Sequence, residues 1–102
     1  IFDAVVRRFR PKPGDKVPHM GWNSIHNLES KLFRGLHGGE YVYFVHSYYT
    51  STCCDTIATT RFGSEGKIFS AALKYENFYG TQFHPEKSGD VGERILKNFL
   101  EL

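Results

Sequence analysis

Apolar positions along this chain fall into short runs punctuated by glycine and proline, and only the last stretch repeats at helical spacing. Residues 1–9 carry β-forming side chains around their charges, and Pro11-Lys12-Pro13-Gly14-Asp15 then reads as a turn. Residues 17–23 (VPHMGWN) are too rich in Pro and Gly for a helix and read as an extended segment or loop. Over 24–36 the spacing of Leu28, Leu32, Phe33 and Leu36 is loosely helical, with Gly35 and Gly38-Gly39 ending the segment. The run 41–49 (YVYFVHSYY) is nearly all aromatic or β-branched, which predicts a central strand covered on both faces. Thr56–Phe62 and 68–73 read as two further strands, joined in a hairpin through Gly63-Ser64-Glu65-Gly66, and 78–83 as another short one. Ser88-Gly89-Asp90 then caps a helix predicted from about Val91 onward. Val91, Ile95, Phe99 and Leu102 recur on one face, widened by Leu96 and Leu100, and this face is expected to pack on the sheet.

Composition narrows the class. A chain of 102 residues makes one domain with a modest core, and 40% hydrophobic with 16% aromatic residues describes a folded protein. The net charge of +2 gives little long-range attraction to nucleic acid or anionic lipid. The one basic cluster, Arg7-Arg8-Phe9-Arg10-Pro11-Lys12, reads as a solvated strand face. No apolar run approaches the ~20 residues a membrane helix needs. Cys53 and Cys54 are adjacent, which does not make a disulfide framework, and a reducing cytoplasm fits best. The strand-like start at Ile1 is expected to continue a longer polypeptide.

The chemistry concentrates in GTQFHPEKSG at 80–89. Proline fixes its own φ and extends its predecessor, so His84-Pro85-Glu86 should form a stiff corner. Residues two apart on extended backbone point the same way. A carboxylate held against an imidazole fixes its tautomer and makes it a general base. A solvated turn with an incidental His and Glu fits the three-residue pattern equally well. No local nucleophile stands out: TSTCCDT offers no Gly-flanked elbow, and Asp55 disfavours a neighbouring thiolate, so Cys53 and Cys54 read as structural or surface thiols. The five histidines show no C-x-x-C or H-E-x-x-H spacing, and there is no phosphate loop or dinucleotide fingerprint, so neither metal nor cofactor is expected. Met20 and Trp22, bounded by Pro18 and Gly21, suit either a protein–protein contact or a plug in the core.

PHMGWN (18–23), YVYFVHSYY (41–49) and GTQFHPEKSG (80–89), in that order, resemble the C-terminal half of class I (triad) glutamine amidotransferases, in the branch that serves imidazole glycerol phosphate synthesis. The resemblance spans essentially the whole chain. It implies an α/β, flavodoxin-like fold represented here by a strand-rich C-terminal portion with one terminal helix, its sheet edge open to self-association. It implies a glutaminase in which His84 is general base and acid, Glu86 orients it, and the backbone of Ser47 and Tyr48 lines the glutamine site. Met20, Gly21, Trp22, Asn23 and Lys87 match positions facing the cyclase subunit, HisF, which receives the ammonia. The nucleophile of this family, a cysteine in a Gly-x-Cys-x-Gly elbow, belongs to the N-terminal half; nothing here matches it, so this chain alone is expected to be inactive. The alternatives are the glutaminase of another class I amidotransferase, such as that of anthranilate synthesis, and a non-catalytic interaction module.

Overall fold

The structure, a computed structural model, describes residues 4–9, 19–63 and 66–102; the predicted turn at 11–15 and the tip of the 63–66 turn lie outside the described residues. Among the described residues seven strands and one helix follow in order: β1 (Val6–Arg8), β2 (His19–Ser24), β3 (Tyr41–His46), β4 (Tyr48–Thr50), β5 (Thr56–Phe62), β6 (Lys67–Tyr75), β7 (Phe78–Thr81) and α1 (Gly89–Leu100). Single 3-10 turns stand at Lys31–Phe33 and Pro85–Lys87. All strand pairings among the described residues are antiparallel. One sheet runs β1-β4-β6-β5 with β7 also on β6, and a separate ribbon joins β2 to β3. An antiparallel bridge between His26 and Thr59, with reciprocal N–H···O bonds of 2.8 Å, ties ribbon to sheet.

The strand buried on both faces is β6, not the aromatic run at 41–49. Phe69 to Leu73 of β6 are all buried. The small side chains of Ser70, Ala71 and Ala72 let neighbouring layers close over both sides, an effect composition alone did not suggest. The run at 41–49 instead breaks at Ser47 into β3 and β4, which enter different sheets. In β3 the side chains alternate: Val42 and Phe44 are wholly buried, while Tyr41 faces solvent. Tyrosine tolerates that half-wet position because its ring is apolar and its hydroxyl polar.

Residues 24–36 form no α-helix. Ile25 and His26 are spent on bridging, Asn27 adopts φ 56°, and Ser30 caps only the short turn at Lys31–Phe33 by accepting from Leu32 N–H at 3.1 Å. Leu32 and Phe33 still reach the core. The terminal helix forms where expected, but its inward face is carried by Gly92, Ile95 and Asn98, with Val91 partly buried. Leu96, Phe99, Leu100 and Leu102 remain exposed. The helix is turned this way because Asn98, nearly buried, donates to the carbonyls of Leu32 at 2.9 Å and Arg34 at 2.8 Å. Those carbonyls lie at the end of the 3-10 turn, where intrahelical donors run out.

Candidate active site

The corner at 84–86 forms as a cap and a turn rather than a continued strand. His84 is extended (φ −103°, ψ 99°), and Pro85 opens the 3-10 turn, where its missing N–H costs nothing. The turn curls Glu86 back, so that His84 Nδ1 lies 3.1 Å from Glu86 Oε2, with side chains 40% and 60% exposed. The two side chains meet through this curl and not through strand alternation. A carboxylate only accepts, so Nδ1 carries the proton and Nε2 is left as the basic nitrogen. Glu86 sits below the usual carboxylate range, first because its own backbone N–H donates to it and then because His84 does.

Beneath the corner, β3 supplies the floor: His84 N–H donates to Tyr43 C=O at 2.9 Å. At the far end of β3, Ser47 forms the bend into β4 and Tyr48 opens that strand. Ser47 C=O accepts from Phe9 N–H at 3.0 Å, and Tyr48 C=O accepts from His46 Nδ1 at 2.6 Å. His46 is held below its ordinary pKa, chiefly by burial, against the opposing pull of the Tyr48 carbonyl and with a contribution from nearby His84.

The PHMGWN segment is strand β2, and its alternation answers the question of the apolar pair. Met20 is 64% exposed and Trp22 55% exposed, so neither plugs the core. Gly21 sits on the inner side at φ 123° opposite Phe44, a backbone state that favours glycine. Trp22 lies edge-on to Tyr43 at 5.9 Å between centroids, and a Cβ on Gly89 would sit 3.8 Å from its ring. Lys87 is exposed at the end of the corner turn. Asn23 differs from its neighbours: its amide donates to Arg61 C=O at 2.7 Å and its Oδ1 accepts from Ser24 N–H at 2.8 Å. Cys53 bonds with Thr56, whose Oγ1 accepts from Cys53 N–H at 2.8 Å, and Cys54 Sγ lies 3.8 Å from Asp55 Oδ1. Both belong to the β4–β5 connection. No group of three His, Cys, Asp or Glu able to hold a metal occurs among the described residues.

Two features escaped sequence reasoning. Ser88 does not cap α1; its hydroxyl turns back and donates to His84 C=O at 2.6 Å while accepting from Tyr43 N–H at 2.9 Å. His19 and His46, opposite each other in the β2–β3 register, hydrogen-bond at 2.9 Å. Only the second had a signal in the sequence, two histidines on runs that read as extended, and its register was not deducible.

The family model for glutamine amidotransferase class-I matches residues 3–102, and the chain belongs to that family. Within it the chain is similar to imidazole glycerol phosphate synthase subunit HisH of Bacteroides fragilis, at 59% identity over 100% of this chain and 51% of that protein. The HisH of Bacteroides thetaiotaomicron is 58% identical over the same shares, and that of Gloeobacter violaceus is 50% identical over 94% of this chain and 43% of its own. The chain thus spans about half the length of the curated relatives it matches. Among solved structures, a GMP synthase component from Thermoplasma acidophilum superposes with a TM-score of 0.70 at 21% identity, over 97% of this chain and 48% of that one. At that identity the likeness concerns the fold.

Proposed function

We propose that this chain carries the acid–base half of the glutaminase of imidazole glycerol phosphate synthase, hydrolysing glutamine to glutamate and passing ammonia to the cyclase subunit, HisF. The observation that carries the reading is the 3.1 Å contact of His84 Nδ1 with Glu86, which leaves Nε2 to take a proton. In this scheme Nε2 accepts the proton of a cysteine thiol as the sulfur attacks the γ-carboxamide carbon of glutamine. The imidazolium then returns that proton to the departing nitrogen, releasing ammonia and leaving a thioester. His84 next draws a proton from water, which cleaves the thioester to glutamate and frees the thiol. Glu86 holds the tautomer and stabilises the imidazolium in both halves.

Cys53 and Cys54 are not given the nucleophile's role: the Cys53 thiol accepts from Thr56 Oγ1 at 3.8 Å, and the Cys54 thiol donates to the Asp55 carboxylate at 3.8 Å. We assign the thiol to the part of the relatives' length that this chain does not span, which makes residues 1–102 a C-terminal portion of one amidotransferase domain, inactive alone. Ser47 and Tyr48 present backbone to the glutamine, and Met20, Gly21, Trp22, Asn23 and Lys87 form the face for the cyclase. The exposure of Met20 and Trp22 supports that face. We place the reaction in the cytoplasm, the reducing compartment that two adjacent cysteines fit; separately, no helix among the described residues is long and apolar enough to cross a membrane.

The test is His84→Ala and Glu86→Ala in the complete protein with its synthase partner. Glutamine-dependent synthesis should fall about 10²- to 10⁴-fold for His84→Ala, the range for loss of a general base, while synthesis from added ammonia persists. Equal loss of both activities would make the corner structural and overturn the reading.

A further inference from the structure

We propose that Ser88 is a positioning residue for His84, its hydroxyl closing a ring of hydrogen bonds that locks the corner to β3. The inference rests on the reading of His84 as general base. The backbones of Tyr43 and His84 are joined on one side directly, His84 N–H donating to Tyr43 C=O at 2.9 Å. On the other side the Ser88 hydroxyl stands between them, accepting from Tyr43 N–H at 2.9 Å and donating to His84 C=O at 2.6 Å. Two backbone groups are thereby satisfied by one side chain that is itself 1% exposed. A helix cap would have spent this hydroxyl on α1; here the side chain makes no cap bond.

The carbonyl that Ser88 holds belongs to the His84–Pro85 peptide, and its direction sets ψ of His84. That angle decides how the chain leaves for Glu86 and so whether Glu86 reaches Nδ1. Ser88 is in turn fixed on both sides: its N–H donates to Pro85 C=O at 3.0 Å and its C=O accepts from Gly92 N–H at 3.1 Å. A Cβ on Gly92 would overlap the Pro85 carbonyl and come within 2.8 Å of Ser88 Cβ, so the first turn of α1 closes on the corner with no slack. The imidazole and carboxylate remain open to substrate, and their placement comes from the buried hydroxyl below them. Misplacing a reacting group by about 1 Å costs on the order of 10² in rate.

The experiment measures Ser88→Ala and Ser88→Cys in the complete protein with its synthase partner, beside His84→Ala. For Ser88→Ala the expected result is a glutamine-dependent kcat lowered about 10- to 100-fold with KM for glutamine nearly unchanged. Ammonia-dependent synthesis should be retained, and Ser88→Cys, which adds no branch to the buried site and keeps a weak donor, should fall between Ser88→Ala and the wild type. A wild-type kcat for Ser88→Ala, or parallel loss of the glutamine- and ammonia-driven activities, overturns the proposal. If Ser88→Ala does not fold, Ser88→Cys, a weak donor in the same place, is read against the same two outcomes. His84→Ala separates the levels: activity surviving in it removes the general-base reading, whereas loss there with no effect at Ser88 removes only the staple.

Discussion

His19 is packed between two aromatic rings, stacked on Phe62 at 4.0 Å and on Phe44 at 4.7 Å between centroids. Its hydrogen bonds fix the tautomers of a pair. Tyr48 C=O can only accept, so His46 donates from Nδ1, accepts at Nε2 from His19 Nδ1, and leaves His19 Nε2 to Asn23 Nδ2 at 3.4 Å. Both rings are therefore neutral, since a second proton would set two N–H groups against each other. Burial first and His46 second lower the pKa of His19 from 6.5 to about 4. The folded value lies below the unfolded one, so the folded state binds fewer protons. The stabilisation is present above about pH 6.5 and is lost as pH falls towards 4. Unfolding free energy by urea titration should drop by about 2 kcal/mol between pH 7.5 and 5, and His19→Gln should flatten that slope. A pH-independent midpoint would contradict the neutral pair. The histidines were visible as residue types, but their meeting depends on cross-strand register, which local sequence does not encode.

Among the elements, α1 best separates pattern from placement. Its 3.6-residue period predicted a helix correctly, and Val91 and Ile95 of the expected stripe do pack inward, whereas Phe99, Leu102, Leu96 and Leu100 stay exposed and Asn98 takes an inward position. Replacing Asn98 with Leu should cost about 1–3 kcal/mol in chemical denaturation, since the Leu32 and Arg34 carbonyls lose their donor; no loss would mean the leucine face governs helix rotation. Gly92→Ala should be destabilising by about 1–3 kcal/mol, as overpacking against Pro85 forces the corner from the helix. Strand β2 makes the opposite case: Trp22 stands out from the sheet, so Trp22→Ala should change stability by less than ~0.5 kcal/mol. The same variant should weaken binding of the cyclase by about 2 kcal/mol or more if Trp22 anchors that face, measured by titration calorimetry. Unchanged affinity would remove Trp22 from the interface.

The whole molecule measures 43 × 29 × 19 Å. Nineteen ångströms is about two layers, too thin to cover both sides of a sheet throughout. Val5, Val6, Tyr48, Leu96, Phe99 and Leu100 all stand exposed, apolar side chains that a second copy could cover. Light scattering at micromolar concentration should give a mass above that of one chain, and a strict monomer would contradict this. The hairpin at Thr56–Phe62 and Lys67–Tyr75, the short strand after it and the terminal helix were legible in the chain, because turn chemistry and side-chain period act between near neighbours. The nearness of His84 and Glu86 across a proline was legible too, but the 3-10 curl that joins them was not. Tertiary structure alone decided that small residues would make β6 the doubly buried strand, that 41–49 would break between two sheets, and that Ser88 would leave its helix for the His84 carbonyl. These outcomes turn on which distant groups compete for the same buried space and the same hydrogen bonds, and that competition exists only once the chain has folded.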